Sequence, residues 1–252
     1  MTSKSSSALP DLVESGDYSD FTLTCEGQDF KLHQILVCPK SPVMAKALKG
    51  NFREATSRVL RVEQFDVATV RRMIIFIYTG DYSLEPTCKE PNTPSDPPKE
   101  SSVVISSTKE DDIPTELLCH LRMNSIGDYY DIQGLVEYAN AKMQPLLQNS
   151  QTESLPQLVQ EVSDSTGDTV LHSIVASLVA SHIEDVVDLP AFSQIKPRGS
   201  IMITILNACA SRVRTLEWRN KHLEELSART RGKKGDGRFT RAGILPQLLC
   251  HI

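Results

Sequence analysis

The sequence predicts an α+β fold, a small sheet near the N-terminus followed by helices. Three observations carry that expectation. Residues 19–32 alternate apolar and polar side chains around a short glycine-containing connection. "SRVLRVE" (57–63) adds one more β-branched run. From Val67 onward, apolar residues recur at helical spacing except where proline accumulates.

In chain order, Phe21, Leu23 and Cys25 alternate with Thr22 and Thr24, and the pattern resumes after Glu26-Gly27-Gln28 with Phe30 and Leu32. This reads as a β-hairpin with one buried face. At His33 the period changes: Ile35, Leu36 and Val37 suit a short helical turn that Cys38-Pro39 stops. Ser41-Pro42 is a helix start, because a serine cap accepts orphan amide protons and proline is tolerated in the first turn. Met44, Ala47 and Leu48 share a face of that helix, and Gly50 ends it. Val59, Leu60 and Val62 form the third strand. "FDVATVRRMIIFIYTGDY" is the clearest helix, capped by Asp66, striped by Val67, Val70, Ile74 and Ile77, and ended by Gly80. Met73, Ile75 and Phe76 widen its apolar surface, so this helix should be largely buried.

Residues 86–116 hold six of the chain's 14 prolines. Such a segment buries too little apolar surface to offset its ordering entropy, so a disordered Pro/Ser-rich insert is expected, with Val103–Ile105 able to form a short edge strand. Order is expected to return at Leu117, with one helix through Leu118, Leu121 and Ile126. A second starts near Asp131, its Leu135, Tyr138, Ala139 and Met143 facing inward. Together they make an αα-hairpin. After a linker at 149–153, three apolar faces follow, in "LPQLVQEV", at Leu171, Ile174, Val175 and Leu178, and from Ile201 to Leu226. They should pack as a bundle on what precedes them.

Composition narrows the function. A net charge of −5 does not favour nucleic acid as a partner of the whole chain. The polar, Ser-rich start has no secretory pattern, and the most apolar run, Met73–Tyr78, is far short of the roughly 20 residues that cross a bilayer. The expectation is a soluble intracellular chain in cytoplasm or nucleus, without a membrane partner. Six scattered cysteines without a CxxC pair read as reduced thiols, and adjacent Cys119 and His120 do not have zinc-site spacing. No G-x-S-x-G or HExxH motif is present. No enzyme, cofactor or metal is expected. "TGDTVLHSIVASLVASH" (166–182) is like an ankyrin opening but has no copy about 33 residues away, which such repeats need. "RTRGKKGDGRFTR" carries Arg229, Arg231, Lys233, Lys234, Arg238 and Arg241 against Asp236, a net +5. It is expected to be a flexible basic tail (229–252) able to contact phosphate backbones or an import receptor.

The series "LVESGDYSDFTLTCEGQDFKLHQILV", "CPKSPVMAKAL", "NFREATSRVLRVE", "VRRMIIFIYTGDYSLE", an insert, and "LLCHLRMNSIGDYYDIQGLVEYANAKM" resembles a BTB/POZ domain in its order and spacing. The arrangement is that of many fungal BTB-domain proteins. The resemblance implies a small mixed sheet capped by helices over residues 19–147; the residue pattern adds the expectation of a flexible N-terminus (1–18) with a short helical turn before it and an α-helical C-terminal extension (154–228) after it. It implies that Asp20 opens the first strand, that His33 holds the strand-to-helix joint, and that Ser41 caps the next helix. Tyr78, Gly80 and Tyr82 would end the buried helix, and Asp128, Tyr130 and Asp131 would mark the second hairpin. The function it implies is a platform for other proteins, as a substrate adaptor for a cullin ubiquitin ligase or, alternatively, as a nuclear scaffold or transcriptional co-regulator using the basic tail. Homo- or heterodimerisation through the domain is also implied, although the short N-terminal "LPDLVESG" lacks the longer swapped elements of strongly dimerising relatives.

Overall fold

The computed structural model describes residues 8–84 and 113–233. Helix α1 (Ala8–Ser15) precedes a three-stranded mixed sheet of β1 (Phe21–Cys25), β2 (Gln28–Leu32) and β3 (Val59–Val62), in the order β2-β1-β3. Strands β1 and β2 are antiparallel, with Leu23 opposite Phe30, and β3 is parallel to β1, with Leu23 opposite Leu60. Two residues join the hairpin, Glu26 and Gly27, both at positive φ (47° and 82°). That is the backbone of a primed turn, whose twist matches that of the strands. Between β2 and β3 lie α2 (Gln34–Val37), α3 (Pro42–Lys49) and α4 (Arg53–Ser57).

Helix α5 (Val67–Thr79) is the hub. Its Val70, Met73, Ile74, Phe76, Ile77 and Tyr78 are all buried, as expected for a helix apolar on more than one face. Asp66 accepts the Thr69 amide at 2.9 Å at its start, and Gly80 takes the left-handed conformation at its end. The αα-hairpin of α6 (Thr115–Tyr129) and α7 (Gln133–Gln148) closes tightly at Gly127, where an added Cβ would lie 3.0 Å from a Val136 methyl. Beyond it follow α8 (Leu155–Ser165), α9 (Thr169–Ser181), the short α10 (Ile183–Val186) and α11 (Pro190–Gln194), and α12 (Ile201–Lys233). One continuous core runs from Phe21 in the sheet to Ile205 in α12, taking in Leu158, Val162, Leu171 and Val175 of α8 and α9.

The chain divides into two compact units, the first ending at Cys209 and the second starting at Ala210. Among the described residues, the second unit consists of the remaining turns of α12.

Several expectations need correction. Within the N-terminal segment expected to be flexible with a short helical turn, residues 8–15 form α1, whose Leu12 and Val13 pack against the core. Residues 113–116, expected as part of the insert, are built into the fold: Ile113 is buried and α6 begins at Thr115, directly after Pro114. The rest of the 86–116 insert, including the strand suggested at Val103–Ile105, lies outside the described residues. The tail from 229 begins as helix, α12 running to Lys233 through Ala, Arg and Lys, which all favour helix. Helix α4 had no periodic signal because none of its residues is buried. The third C-terminal apolar face is largely uncovered: Ile201 and Ile205 are buried, but Ile203, Leu206, Val213, Leu216, Leu223 and Leu226 are exposed.

The position of α5 makes the first prediction. Ile74 is 1% exposed, so Ile74→Asp would bury a carboxylate with no partner, at a cost of several kcal/mol, comparable to the whole ~5–15 kcal/mol stability of a domain. Circular dichroism of the purified variant should show loss of the cooperative thermal transition.

Candidate protein-interaction surface

The joint after the hairpin is built around His33. Its amide donates to the Tyr78 hydroxyl at 3.1 Å, Nδ1 lies 2.8 Å from the same hydroxyl, and Nε2 lies 2.6 Å from the Asp17 carbonyl oxygen. A carbonyl can only accept, so Nε2 carries a proton, and the Tyr78 hydroxyl, kept protonated because burial pushes it up, donates to Nδ1. Both ring nitrogens are thereby used. His33 ties α5 to the sheet and has no nitrogen left for a ligand or a proton transfer. Beside it, an Asp20 carboxylate oxygen accepts the Gln34 amide at 2.8 Å and so caps α2 from outside.

Ser41 works at longer range. Its Oγ accepts the Met44 amide at 3.1 Å, capping α3, and donates to the carbonyl of Tyr130 at 2.6 Å. The cap is thus also a bond to the α6–α7 turn, where Asp131 sits at φ 53° and accepts the Gln133 amide side chain at 2.8 Å. The Tyr130 hydroxyl is pushed well up by burial. Tyr82, past the Gly80 stop, packs among Phe76, Tyr138 and His120, its hydroxyl 2.7 Å from His120 Nδ1. Burial pushes Tyr82 up and His120 down, which favours a tyrosine donor and a neutral imidazole acceptor. His120 is therefore committed to the aromatic cluster and not to a site with Cys119. At the rim, the Tyr138 hydroxyl donates to Asp81 at 2.5 Å and holds that carboxyl below its ordinary value.

A buried polar node joins α6 and α7 to α9. Asp168 Oδ2 accepts the side-chain amides of Asn124 (2.9 Å) and Asn140 (2.7 Å) and the Leu171 amide (3.3 Å), while Oδ1 accepts the Val170 amide (2.9 Å). Nearby, Asp128 Oδ2 accepts from the Gly167 amide at 2.9 Å and the Thr166 hydroxyl at 3.2 Å, and His172 Nε2 donates to the Thr166 carbonyl at 3.0 Å. Asn124 Oδ1 and His172 Nδ1 are buried without a hydrogen-bond partner. Asp128, Tyr130 and Asp131 lie at the α6–α7 turn, whereas the Asn124–Asn140–Asp168 node had no sequence signal beyond an aspartate in front of a helix.

Three surfaces surround this frame. A polar groove of about 860 Å³ runs between the β3–α5 connection, α6 and α8, with ion pairs Asp66–Arg122 and Asp164–Arg198 at 4.0 and 3.6 Å. A groove of about 620 Å³ lies between α1, β2 and α5, where Arg71 sits 5.5 Å from the Phe30 ring centre. The third, about 550 Å³, is bordered by α3, α4, β3 and Tyr129, with Val43 and Tyr129 on its lining. Val43 and Tyr129 are exposed large apolar side chains on this lining, and exposed Phe52 directly precedes the lining residue Arg53 in the chain, a combination that sequence reasoning missed. Of the basic residues considered for nucleic-acid or import-receptor contact, Arg229 is on α12; the side chains of Arg231 and Lys233, and all of Lys234, Arg238 and Arg241, lie outside the described residues. Among the described residues, no cluster of three His, Cys, Asp or Glu side chains could hold a metal, Cys25, Cys38, Cys119 and Cys209 are free thiols, and no helix is long and apolar enough to cross a membrane.

The family model of the BTB/POZ domain matches residues 9–92. This segment is a BTB/POZ domain. TD and POZ domain-containing protein 3 of Mus musculus is 28% identical over 72 residues, covering 29% of this chain and 20% of the relative. The match thus spans about a fifth of that protein's length. A BTB/POZ domain is a protein-interaction module, and its matched residues take in α1 from residue 9, the whole sheet, the His33–Tyr78 joint and the α3, α4 and β3 residues of the third groove, though not its Tyr129.

The Asp168 node sets a pH dependence. Burial alone would raise the Asp168 carboxyl, but hydrogen bonds from Asn140, Asn124 and the Val170 and Leu171 amides outweigh it and hold the carboxyl below its ordinary value. A carboxyl lowered in the folded state contributes stability that is full above the unfolded value, about 4, and is lost as pH falls through the folded value. Asp168→Ala should cost ~2–4 kcal/mol at neutral pH by removing a helix cap and stranding two buried amides. Urea melts of parent and variant from neutral pH to below pH 4 should converge on acidification.

Proposed function

We propose that this chain is an adaptor that binds one protein through the α3–α4–β3 face of its BTB/POZ domain and a second through its C-terminal helices, and that the first is a cullin-type ubiquitin-ligase scaffold. The observation that carries the reading is the pair of exposed apolar side chains Val43 and Tyr129 on one groove, with exposed Phe52 next in the chain to the lining residue Arg53. Exposed aromatic and aliphatic anchors beside a depression, rimmed by Arg53, Glu54, Arg61 and Glu63, have the make-up of a protein-binding hot spot with a polar rim. The fungal arrangement of the family, the domain limits of 19–147, and the extension as client receptor belong to the same proposal. A nuclear scaffold acting through the basic segment 229–241 is the competing reading, supported by its net +5 charge.

Calorimetric titration of the full-length protein with a purified cullin N-terminal domain tests the reading. Val43→Asp combined with Phe52→Ala should weaken binding by ~tenfold or more, while the thermal transition stays within ~0.5 kcal/mol of the parent because both side chains are exposed. Absence of binding by the parent would refute the cullin assignment. Capture of nucleic acid that falls steeply with salt and disappears on deletion of residues 229–252 would favour the scaffold.

A further inference from the structure

From Leu206 the positions along α12 step by three and four: Leu206, Cys209, Val213, Leu216, Asn220, Leu223. This is a heptad in which Leu206, Val213 and Asn220 occupy the a positions and Cys209, Leu216 and Leu223 the d positions. Cys209 is partly covered by the core of the first unit. In the second unit the seam is open: Val213, Leu216 and Leu223 are 52%, 42% and 63% exposed. An apolar stripe of that kind is normally covered by another helix.

The residue choices specify which helix. A β-branched residue at a with leucines at d favours two strands, and one Asn at an a position fixes register and dimeric state at some cost in stability. Val213, Leu216, Leu223 and Asn220 meet all of these conditions. The flanking charges select orientation. Arg212 and Arg219 fall at g, Glu217 and Glu224 at e. In a parallel pair each g side chain faces the e position five residues further along the other strand, so Arg212 meets a Glu217 and Arg219 meets a Glu224. In an antiparallel pair g faces g and e faces e, which opposes arginine to arginine and glutamate to glutamate. Trp218, at f, lies on the outer side of such a pair and is exposed.

We propose that α12 is a dimerisation element that pairs in parallel, through the Val213–Leu223 seam, with α12 of a second copy of this chain. The seam covers roughly two to three turns of helix pair, well short of the ~1,200 Å² of a stable interface, so the dimer forms and dissociates with concentration. It is a route to self-association separate from the BTB/POZ domain.

Sedimentation equilibrium of the full-length protein over a concentration series provides the test. A reversible monomer–dimer equilibrium is expected. Leu216→Lys with Leu223→Lys should raise the dissociation constant ~tenfold or more, and Asn220→Ile should tighten association and admit higher oligomers. Glu217→Arg with Glu224→Arg should weaken self-association, and mixing that variant with Arg212→Glu with Arg219→Glu should restore a heterodimer. A parent that stays monomeric throughout overturns the proposal, as does a double-lysine variant that dimerises like the parent, since the contact would then lie elsewhere. If the lysine variant loses helicity by circular dichroism, the charge-swap mixture decides: no heterodimer, no coiled coil.

Discussion

The C-terminal helices can be part of the same core as the BTB/POZ segment because one buried carboxylate is satisfied from three helices. Asp168 starts α9, yet two of its four donors are side chains of α6 and α7. A carboxylate in that position is tolerable only while those donors stay in place, since an unpaired buried charge costs several kcal/mol. The requirement is mutual, because Asn140 would otherwise bury amide protons with no acceptor and Asn124 would keep only its 2.9 Å bond to Asn140 Oδ1. α9 therefore cannot move off the hairpin without exposing or stranding polar groups on both sides. Apolar contacts favour this packing in general; the node fixes one register of it.

Much of the architecture was legible because local chemistry and global fold agree. Period-two alternation in 21–32, a serine followed by proline at 41–42, and an aspartate ahead of Val67 each describe an element that needs only its own neighbours to declare itself. His33 falls where the period changes, and the structure gives it contacts to Tyr78 and Asp17 at the strand-to-helix joint. Other features depend on residues far apart in sequence. Asn124 and Asn140 meet Asp168 across 44 and 28 positions, and no local pattern marks a polar side chain as a future donor to a buried acid. Exposure of Val43, Phe52 and Tyr129 is also a tertiary property, since an apolar residue off the main stripe of a helix reads the same whether it is covered or left open.

α12 shows the limit most directly. A heptad of apolar residues states that a helix needs a neighbour but not whether that neighbour belongs to the same chain. Read as an inward face, 201–226 has Ile201 and Ile205 buried, but Ile203, Leu206 and the apolar residues after Cys209 are exposed. The sorting of arginine to one flank and glutamate to the other was present in the sequence throughout, but it carries information only once the apolar stripe between them is known to be uncovered.

Trp218 is the chain's one tryptophan, and it stands on α12 at 65% exposure, stacked at 5.4 Å on His222. The buried aromatic rings of the first unit are Phe21, Phe30 and Phe76 and the tyrosines 78, 82 and 130. Intrinsic tryptophan emission is thus an optical signal of the second unit alone. The sheet and its helices could melt completely with little change at the wavelength most often followed. Tyrosine near-ultraviolet dichroism, which reports rings held in asymmetric packing, is the signal that belongs to the core.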